Sequence, residues 1–445
     1  MTPKSSPLVK TQITHRRVLR IALPIVLANV TIPILGAVDT AVVGQLGDAV
    51  TIGAVGIGAT ILTALYWMFG FLRMGTTGFV AQAFGRGDLR EMAAYLLRVL
   101  AIGFVAGLVV ILLKEPLFAL AFALSPASAP VENLAQAYMG IRVFSAPALI
   151  ALYGVTGWLI GQERTRAVLM LQLWMNGLNV VLDLWFVLGL GLGAEGVAWA
   201  TFTAEWTGLG LGLWLCRAGI WPNLGRDWAQ VFDLGRLRAM FTVNRDILLR
   251  SLMLEAIFVS FILWGADFGD ETLAANHILL QFLHITAYGL DGFAFAAETL
   301  VGQAIGRGDR VLLRRSCTMT LAWGLGLCAV LAVVFYCFSP QIIALMAKSP
   351  SVQSAAALYA PFIVAAPLVG IIPWMLDGIF IGATRSRDMR DMMAISLVIY
   401  AVCAVLLVGQ FGNYGLWCAL LISFVARAVT LGVRYPRLEK SLTQP

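Results

Sequence analysis

The sequence predicts an all-α integral membrane protein with twelve transmembrane helices in two pseudo-symmetric six-helix lobes. Three observations lead to this fold class. Hydrophobic residues make up 60% of the 445 residues and charged residues only 12%, whereas soluble globular domains contain roughly 25% charged residues. The apolar residues are grouped into long stretches. In addition, short sequences from the first half of the chain return in the second half.

The apolar stretches are twelve in number, and each can cross about 30 Å of hydrocarbon, which takes roughly twenty helical residues. Several stretches are longer, so we expect those helices to be tilted, bent or extended beyond the bilayer. The stretches cover residues 18–45, 50–82, 91–124, 133–162, 166–189, 195–217, 240–266, 272–304, 312–346, 353–382, 390–410 and 414–433.

The second half of the chain repeats landmarks of the first half. The sequence QAFGRGD at 82–88 returns 221 residues later as QAIGRGD at 303–309. Two further pairs keep this spacing to within one residue: GWLIGQERTR at 157–166 with GIFIGATRSR at 378–387, and LGD at 46–48 with FGD at 268–270. Such repeats in very apolar chains indicate a duplicated half and are typical of transporters. We interpret the repeated Gly-Arg-Gly-Asp as a helix stop with a tight turn, because glycine and arginine both favour helix C-termini.

The duplication divides the chain into an N-terminal six-helix lobe over 1–217, a linker over 218–237 and a C-terminal six-helix lobe over 238–445. Six is an even number, so the second lobe begins on the same side of the membrane as the first. The repeats are therefore predicted to be parallel, related by a pseudo-two-fold axis along the membrane normal. The linker contains Pro222, Gly225 and charges of both signs.

Basic residues are concentrated in the loops on one side of the predicted helices. The opposite loops contain only Lys114 and Lys348 as basic residues, so the positive-inside rule places both termini in the cytoplasm. The first seventeen residues contain no apolar run, and we therefore expect no cleaved signal peptide. The sequence predicts a multi-pass protein of the bacterial cytoplasmic (inner) membrane, and its net charge of +7 indicates topology rather than nucleic-acid binding.

No motif predicts an enzyme or a cofactor. The six cysteines lie in or beside apolar stretches without paired or metal-like spacing, so we interpret them as small buried hydrophobic residues. An intramembrane aspartyl protease built on Asp39 and Asp183 would require a Gly-x-Gly-Asp motif, and neither aspartate has one.

Four polar residues are predicted to lie at one level of the N-terminal lobe, and a fifth, Glu205, one turn deeper. Counting about 1.5 Å per residue along each helix places Asp39, Asp183 and Thr201 in the outer half of the membrane. Asn179 lies one turn before Asp183, and Glu205 one turn beyond Thr201, on the same helix faces. Buried carboxylates in membranes are costly and mark functional sites. Two neighbouring carboxylates can hold a proton, while the oxygen atoms of Asp39, Asn179, Asp183 and Thr201 also suit Na⁺. The alternative is that each acid belongs to a structural polar network.

The C-terminal lobe has one principal candidate, Glu255, about midway along the seventh predicted helix. Asp291, Glu298 and Asp377 fall late in helices that approach the basic side, where we expect a structural or gating role. In the first helix, Pro24 favours a bend because proline removes a backbone hydrogen bond. The alternative for this residue is an ordinary membrane-helix proline.

Several motifs resemble those of the MATE (multidrug and toxic compound extrusion) transporters, most closely the DNA-damage-inducible protein F branch. The resemblance extends over nearly the whole chain. Its motifs are ALPI at 22–25, VDTAVVG at 38–44, LRMGTTG at 72–78, NVVLD at 179–183, NRDI at 244–247, YGLDGFA at 288–294 and LDGIFIGATR at 376–385.

The resemblance implies a V-shaped antiporter that exports organic cations and amphipathic drugs or toxins in exchange for protons or sodium ions. It implies a small-molecule substrate, a lipid bilayer as surroundings and no cofactor other than the coupling ion. We expect a monomer and no nucleic-acid partner. A lipid-linked saccharide flippase of the same superfamily is the alternative function. A flippase for anionic head groups would require converging arginines and often has additional helices.

The resemblance also implies roles for individual residues. The coupling-cation site of the family matches Asp39, Asn179, Asp183 and Thr201, and the proline at which the first helix bends matches Pro24. Glu255 matches an acid that a separate MATE branch uses in the seventh helix. Some members of the branch have a tyrosine one turn before the first-helix acid, where this chain has Leu35. The choice between protons and sodium ions, and between the two lobes, stays open at this level.

Overall fold

The structure is a computed structural model that describes residues 12–45, 47–124, 127–220 and 228–442. These residues form helices and their connecting turns, and contain no β-strand. The α-helices are α1 His15–Gly44, α2 Ala49–Trp67, α3 Phe71–Arg86, α4 Leu89–Leu112, α5 Lys114–Leu124, α6 Ala129–Arg142, α7 Ala146–Gly161, α8 Thr165–Asp183, α9 Gly193–Ile220, α10 Trp228–Val231, α11 Leu234–Ala266, α12 Asp270–Arg307, α13 Arg310–Met346, α14 Pro350–Gly382, α15 Ser386–Phe411 and α16 Asn413–Lys440.

Twelve long helical spans are present in the described part of the chain, as the sequence predicts. A 3₁₀ turn joins α2 to α3 and another joins α6 to α7, so each of these pairs forms one span. Eleven spans are long and apolar enough to cross a membrane. The twelfth, α9, has 28 residues but is less apolar because it carries Glu205 and the threonines Thr201, Thr203 and Thr207. The predicted third span over 91–124 ends earlier, with α4, and the short α5 follows it.

The long spans are interrupted where a helix-breaking residue or a wider turn occurs. The 3₁₀ turn Val143–Ser145 directly precedes Pro147, which has no N–H to donate to the preceding turn. In the fifth span, α8 ends at Asp183 and continues as a π-helical turn over Leu184–Gly189. Such wide turns occur frequently at functional sites. The second, fourth and fifth spans therefore each contain a local change of helix type.

The repeated sequences form matching turns in the two halves of the chain. Gly87 and Gly308 adopt left-handed backbone angles, with φ of 74° and 68°. The aspartates that follow them cap the next helices, since Asp88 accepts a hydrogen bond from Glu91 N at 3.0 Å and Asp309 accepts one from Leu312 N at 2.9 Å. The interpretation of Gly-Arg-Gly-Asp as a helix stop and turn is confirmed.

A second pair of matching turns follows α7 and α14. Glu163 and Thr384 have positive φ values of 61° and 52°, which are uncommon for residues other than glycine. Their backbone N–H groups donate to carbonyls three residues earlier at the same distance of 2.9 Å. The duplication therefore preserved the backbone geometry of these turns as well as their sequence.

The turn before α2 is the third landmark of the repeat. Gly47 has a φ of 68°, and its counterpart Gly269 has a φ of 89°. Asp48 caps α2 by accepting hydrogen bonds from the Thr51 hydroxyl at 2.6 Å and from Val50 N at 3.1 Å. These hydrogen bonds hold the pKa of Asp48 below its ordinary value, because they favour the ionised carboxylate.

The described residues form two compact units. The C-unit comprises 12–26, 84–87 and 240–442, and the N-unit comprises 27–83 and 88–239. These units follow the sequence halves closely but differ from them at residues 12–26 and 84–87, which pack with the second half of the chain. The described part of the linker, from Trp228 onward, packs with the N-unit. Pro222 and Gly225 lie outside the described residues.

A buried ion pair holds the linker within the N-unit. Arg98 on α4 is 2% exposed, and Glu91 is fully buried. The Arg98 guanidinium donates to Glu91 Oε1 at 2.8 Å and to the Val231 carbonyl at 2.8 Å, and also contacts the Gln230 carbonyl. Glu91 additionally accepts from Gln230 Nε2 at 3.1 Å and pairs with Arg236. Arg98 therefore satisfies the carbonyl end of α10 and joins it to α4.

Replacing Arg98 should destabilise the protein. The Arg98→Met substitution removes the donors to α10 and leaves the buried Glu91 with Arg236 as its remaining arginine partner. Breaking a buried pair from one side costs about 3–5 kcal/mol, so the thermal unfolding midpoint in detergent should fall clearly. Arg217→Gln is the matched control, because Arg217 is exposed and donates only to the Trp214 carbonyl among the hydrogen bonds observed. An unchanged unfolding midpoint for Arg98→Met would contradict the role of Arg98 in joining α10 to α4.

Candidate functional site

Four of the predicted N-lobe residues meet in the structure. Asn179 on α8 lies between Asp39 on α1, Asp183 one turn later on α8, and Thr201 on α9. The side-chain amide nitrogen of Asn179 lies 3.2 Å from Asp39 Oδ1 and 3.0 Å from Asp183 Oδ2 when it faces the two carboxylates. Its oxygen then accepts from Thr201 N at 3.2 Å and from the Thr201 hydroxyl at 3.0 Å. The sequence-predicted set thus forms one connected cluster within the N-unit.

The orientation of the Asn179 amide follows from hydrogen-bond chemistry. Ionised carboxylates accept hydrogen bonds and cannot donate them. With the oxygen turned toward Asp39 and Asp183, acceptors would face acceptors and the amide nitrogen would face the donors of Thr201. Turning the nitrogen toward the carboxylates satisfies both ends of the amide. Asn179 therefore serves as a donor to the acids rather than as an oxygen ligand beside them.

The two aspartates are neighbours on either side of the Asn179 amide. The same amide nitrogen lies 3.2 Å from Asp39 Oδ1 and 3.0 Å from Asp183 Oδ2. Asp183 is fully buried, Asn179 is 1% exposed, and Asp39 is partly buried. Two carboxyl groups this close to one another repel when both are ionised, and a single proton on either of them removes that repulsion.

Glu205 is separated from this cluster and is paired with an arginine. Arg142 at the end of α6 places Nη1 2.9 Å from Glu205 Oε1, and both side chains are buried. The Arg142 carbonyl accepts a hydrogen bond from Tyr66 OH at 3.0 Å. Glu205 thus has a fixed positive partner, unlike Asp39 and Asp183, and the structural alternative for this acid has direct support.

Arg142 also acts on the aspartate pair through space. Its positive charge interacts electrostatically with both Asp39 and Asp183. The three acids of this region therefore face a single buried arginine, and full ionisation would leave two negative charges uncompensated. A region with this charge deficit can take up a proton or another cation. From the sequence, an arginine within an apolar stretch is expected to pair with an acid or to extend toward the interface, and Arg142 pairs with Glu205.

The remaining predicted residues lie in the C-unit. Pro24 is buried on α1 at the part of that helix that packs in this unit. Glu255 on α11 is exposed on the surface of the C-unit, with His284 as an electrostatic neighbour. Asp377 is buried between Arg250 and Arg427, which both contact its Oδ2 atom. Paired from two sides, Asp377 fits the structural role predicted for it.

No cluster of three or more histidine, cysteine, aspartate or glutamate side chains that could hold a metal occurs among residues 12–442 outside the undescribed gaps. Within the N-unit cluster, the two carboxylates are the only acidic oxygen donors. The Asn179 nitrogen occupies the side facing them, and the Thr201 hydroxyl also lies 3.0 Å from the Val197 carbonyl, to which it can donate.

A protein-family model described as MatE matches residues 24–185 and again 247–408. The chain is also 37% identical to DNA damage-inducible protein F of Escherichia coli K12, over 94% of this chain and 91% of that protein. The chain belongs to the MATE family. The double match of the family model, to two segments of equal length, agrees with the duplication in the sequence. The first segment begins at Pro24 and contains Asp39, Asn179 and Asp183.

Other MATE proteins are similar over similar lengths. The probable multidrug resistance protein NorM of Xanthomonas campestris is 25% identical, with 95% of this chain and 94% of that protein covered. The crystal structure of the Vibrio cholerae MATE transporter VcmN in the bent form matches with a TM-score of 0.86 at 20% identity, covering 96% and 98% of the two chains. The twelve-helix MATE fold is thereby confirmed. The chain is therefore a member of a family of membrane transporters.

The Arg142–Glu205 pair can be tested by a double-mutant cycle. Arg142→Gln should lower the free energy of unfolding by about 3–5 kcal/mol, because it leaves Glu205 buried without its partner. The double variant Arg142→Gln/Glu205→Gln replaces both charges by neutral amides of similar shape and should recover most of that loss. Thermal unfolding of the detergent-purified variants measures both effects. Additive losses in the double variant would show that the two residues do not act as a pair.

Proposed function

We propose that this chain is a proton-coupled antiporter that exports organic cations and amphipathic drugs. The observation that carries the proposal is that one Asn179 nitrogen lies 3.2 Å from Asp39 Oδ1 and 3.0 Å from Asp183 Oδ2, which makes two carboxyl groups neighbours inside the N-unit. A carboxylate pair that shares one proton in a buried place has two accessible charge states. The site can therefore bind and release one proton, and each event changes the net charge of the pair by one. An antiporter needs a change of this kind.

The two charge states would differ in how α1 is held. With one proton present, Asp39 on α1 is joined to Asp183 on α8. Loss of the proton leaves two like charges that repel each other, so the side chains of Asp39 and Asp183 would separate. Asp39 lies fifteen residues beyond Pro24, or about 22 Å along the helix. Protonation and deprotonation would thus act on the outer part of α1, while Pro24 lets the helix bend.

The direction of transport follows from the proposed topology. Basic residues cluster at the N-terminus and after the even-numbered spans, so we place both termini in the cytoplasm of a bacterial inner membrane. Asp39 and Asp183 then lie in the outer half of the membrane, within reach of protons from outside. Proton entry from that side would be coupled to release of the drug to that side.

The substrate class is proposed from the chemistry of the N-unit and from relatives. The fifth span carries Trp174 and Trp185 as half-exposed side chains, and aromatic faces attract flat organic cations. Unpaired negative charge at Asp39 and Asp183 favours cations over anions. NorM proteins of Xanthomonas campestris and Deinococcus radiodurans are named as probable multidrug resistance proteins, which agrees with this substrate class.

The flippase alternative has less support. A flippase for anionic head groups needs arginines that are available to a phosphate. In the described residues, the buried Arg98, Arg142 and Arg427 are each paired with an acid of their own unit. Twelve spans also leave no additional helices of the kind expected for that function.

Everted membrane vesicles test the proposed coupling. An imposed pH gradient should drive ethidium transport by the wild-type protein, and an imposed sodium gradient alone should not. Asp39→Asn and Asp183→Asn should each reduce the pH-driven transport by about tenfold or more, since each removes the shared ionisation. Glu195→Gln is the matched control, because Glu195 is an exposed acid on α9. Wild-type transport by both aspartate variants would refute the mechanism, and sodium-driven transport would refute the choice of ion.

Removing the Asn179 amide should move the pH dependence of transport to higher pH. The amide nitrogen donates to both carboxylates, and hydrogen bonds to the ionised form favour that form. Without the donor in Asn179→Ala, the pair should hold its proton up to a higher pH. The measurement is the pH at which ethidium transport in vesicles is half-maximal. A shift toward lower pH would contradict the donor role and would favour an oxygen-ligand role for Asn179.

A further inference from the structure

The first helix belongs to both compact units. Its residues up to 26 pack in the C-unit, where Arg17 donates to Gln303 Oε1 at 2.7 Å and Trp323 donates to His15 at 3.2 Å. Its residues from 27 onward pack in the N-unit, where Thr31 accepts from Asn176 at 2.7 Å. The assignment changes only two residues beyond Pro24. Each part of α1 is therefore held by polar contacts of its own unit.

Pro24 weakens α1 close to residue 26, after which the helix packs in the N-unit instead of the C-unit. Proline has no backbone N–H, so Pro24 cannot donate the helical hydrogen bond to the carbonyl of Arg20. The side chains around it are nevertheless tightly packed, with Ile21 and Ala22 fully buried and Ile25 1% exposed. The helix can thus bend near Pro24 while the turn that carries it stays packed in the C-unit.

Gly292 on α12 provides the place where this turn packs. Gly292 is buried, and a Cβ atom at this position would lie 2.6 Å from the carbonyl oxygen of Ala22 and 2.6 Å from Val26 Cγ2. Ala22 and Val26 flank Pro24 on either side. Because one of the two atoms belongs to the backbone, a side chain at residue 292 could be accommodated only by moving α1. The α12 backbone therefore approaches α1 this closely only because residue 292 is a glycine.

The equivalent place in the second repeat is built differently. Pro24 corresponds to Arg245 or Asp246 on α11 at the observed shift. Asp246 is buried and is locked by Arg390 at 2.7 Å and by Ser386 at 3.2 Å. The counterpart of Gly292 is Gly70 or Phe71, and nothing approaches within 4 Å of a Cβ placed on Gly70. The close packing of a proline-containing turn against a glycine is thus formed by Pro24 and Gly292 and not by their counterparts.

We propose that Gly292 is the seat of the Pro24 hinge, which makes it a positioning residue for transport. It holds the turn around Pro24 against α12, so that the start of α1 remains with the C-unit while the part carrying Asp39 moves when the aspartate pair changes its charge. The inference rests on the proposed function and adds a residue to it. Gly292 touches neither the proton nor the drug.

Gly292→Ala tests the seat against a matched glycine of the same helix. Gly289→Ala makes the same chemical change one turn earlier on α12, where the nearest atom to a new Cβ is the flexible Leu327 Cδ2 at 3.3 Å. Gly292→Ala should lower the ethidium turnover rate in vesicles by at least about tenfold, with little change in KM. Gly289→Ala should turn over as the wild type does. Equal turnover by the two variants would overturn the inference.

A double-mutant cycle with Pro24→Ala separates a hinge from simple packing. Pro24→Ala restores the helical donor to Arg20 and should slow the same step. The double variant Pro24→Ala/Gly292→Ala should then be no slower than the slower single variant, whereas independent effects would multiply. If the reductions in turnover of the two single variants multiply in the double variant, the inference that Gly292 positions the turn around Pro24 is overturned.

Two further outcomes are decisive. If Gly292→Ala does not reach the membrane in folded form, Val26→Leu replaces it as the test, because it enlarges the side chain that faces Gly292. A wild-type turnover of Val26→Leu would then overturn the inference, and a reduced turnover at unchanged KM would support it. Failure of the proposed function would appear separately, as transport that survives both Asp39→Asn and Asp183→Asn.

Discussion

Charges buried inside membrane-spanning helices must be neutralised by a partner or by a proton, and the N-unit is organised around this constraint. Glu205 has Arg142 as a fixed partner at 2.9 Å. Asp183, which is fully buried, lies beside the Asn179 amide and forms no ion pair shorter than 4 Å among those observed in the described residues. In the proposed function, the carboxylate pair is the part of the network whose charge depends on a mobile ion. The ion pairs of the same unit, such as Arg142 with Glu205, would stay compensated when that ion leaves.

In the proposed mechanism, the same constraint makes α1 the helix that links the change of charge to movement. Asp39 is the only member of the cluster on α1, whereas Asn179 and Asp183 lie on α8. The opposite end of α1 is held by Arg17 and by the contact with Gly292. A helix that is held at both ends and weakened at Pro24 can transmit a change at one end only by bending between them.

The duplication preserved the scaffold and changed the chemistry. The turns after α3 and α12 share left-handed glycines and capping aspartates, and those after α7 and α14 share the same backbone hydrogen bonds. The counterparts of Asp39 and Asn179 in the second repeat are Ser260 and Tyr400, whose hydroxyl oxygens lie 3.4 Å apart. The second repeat thus brings the same positions together with neutral side chains, so it has no acid pair at this place.

The sequence by itself determined the membrane class, the twelve spans, the duplication and the identities of Asp39, Asn179, Asp183 and Thr201 as one group. These features depend on composition, helix length and helical periodicity, which are local properties. Only the tertiary structure decided which partner each charge received, because Arg142 and Glu205 are far apart in the chain and meet through packing. It also decided that α1 divides between two units at Pro24 and that Gly292 seats that turn. A contact between distant helices depends on how their surfaces fit, and this fit is not encoded in any single stretch of sequence.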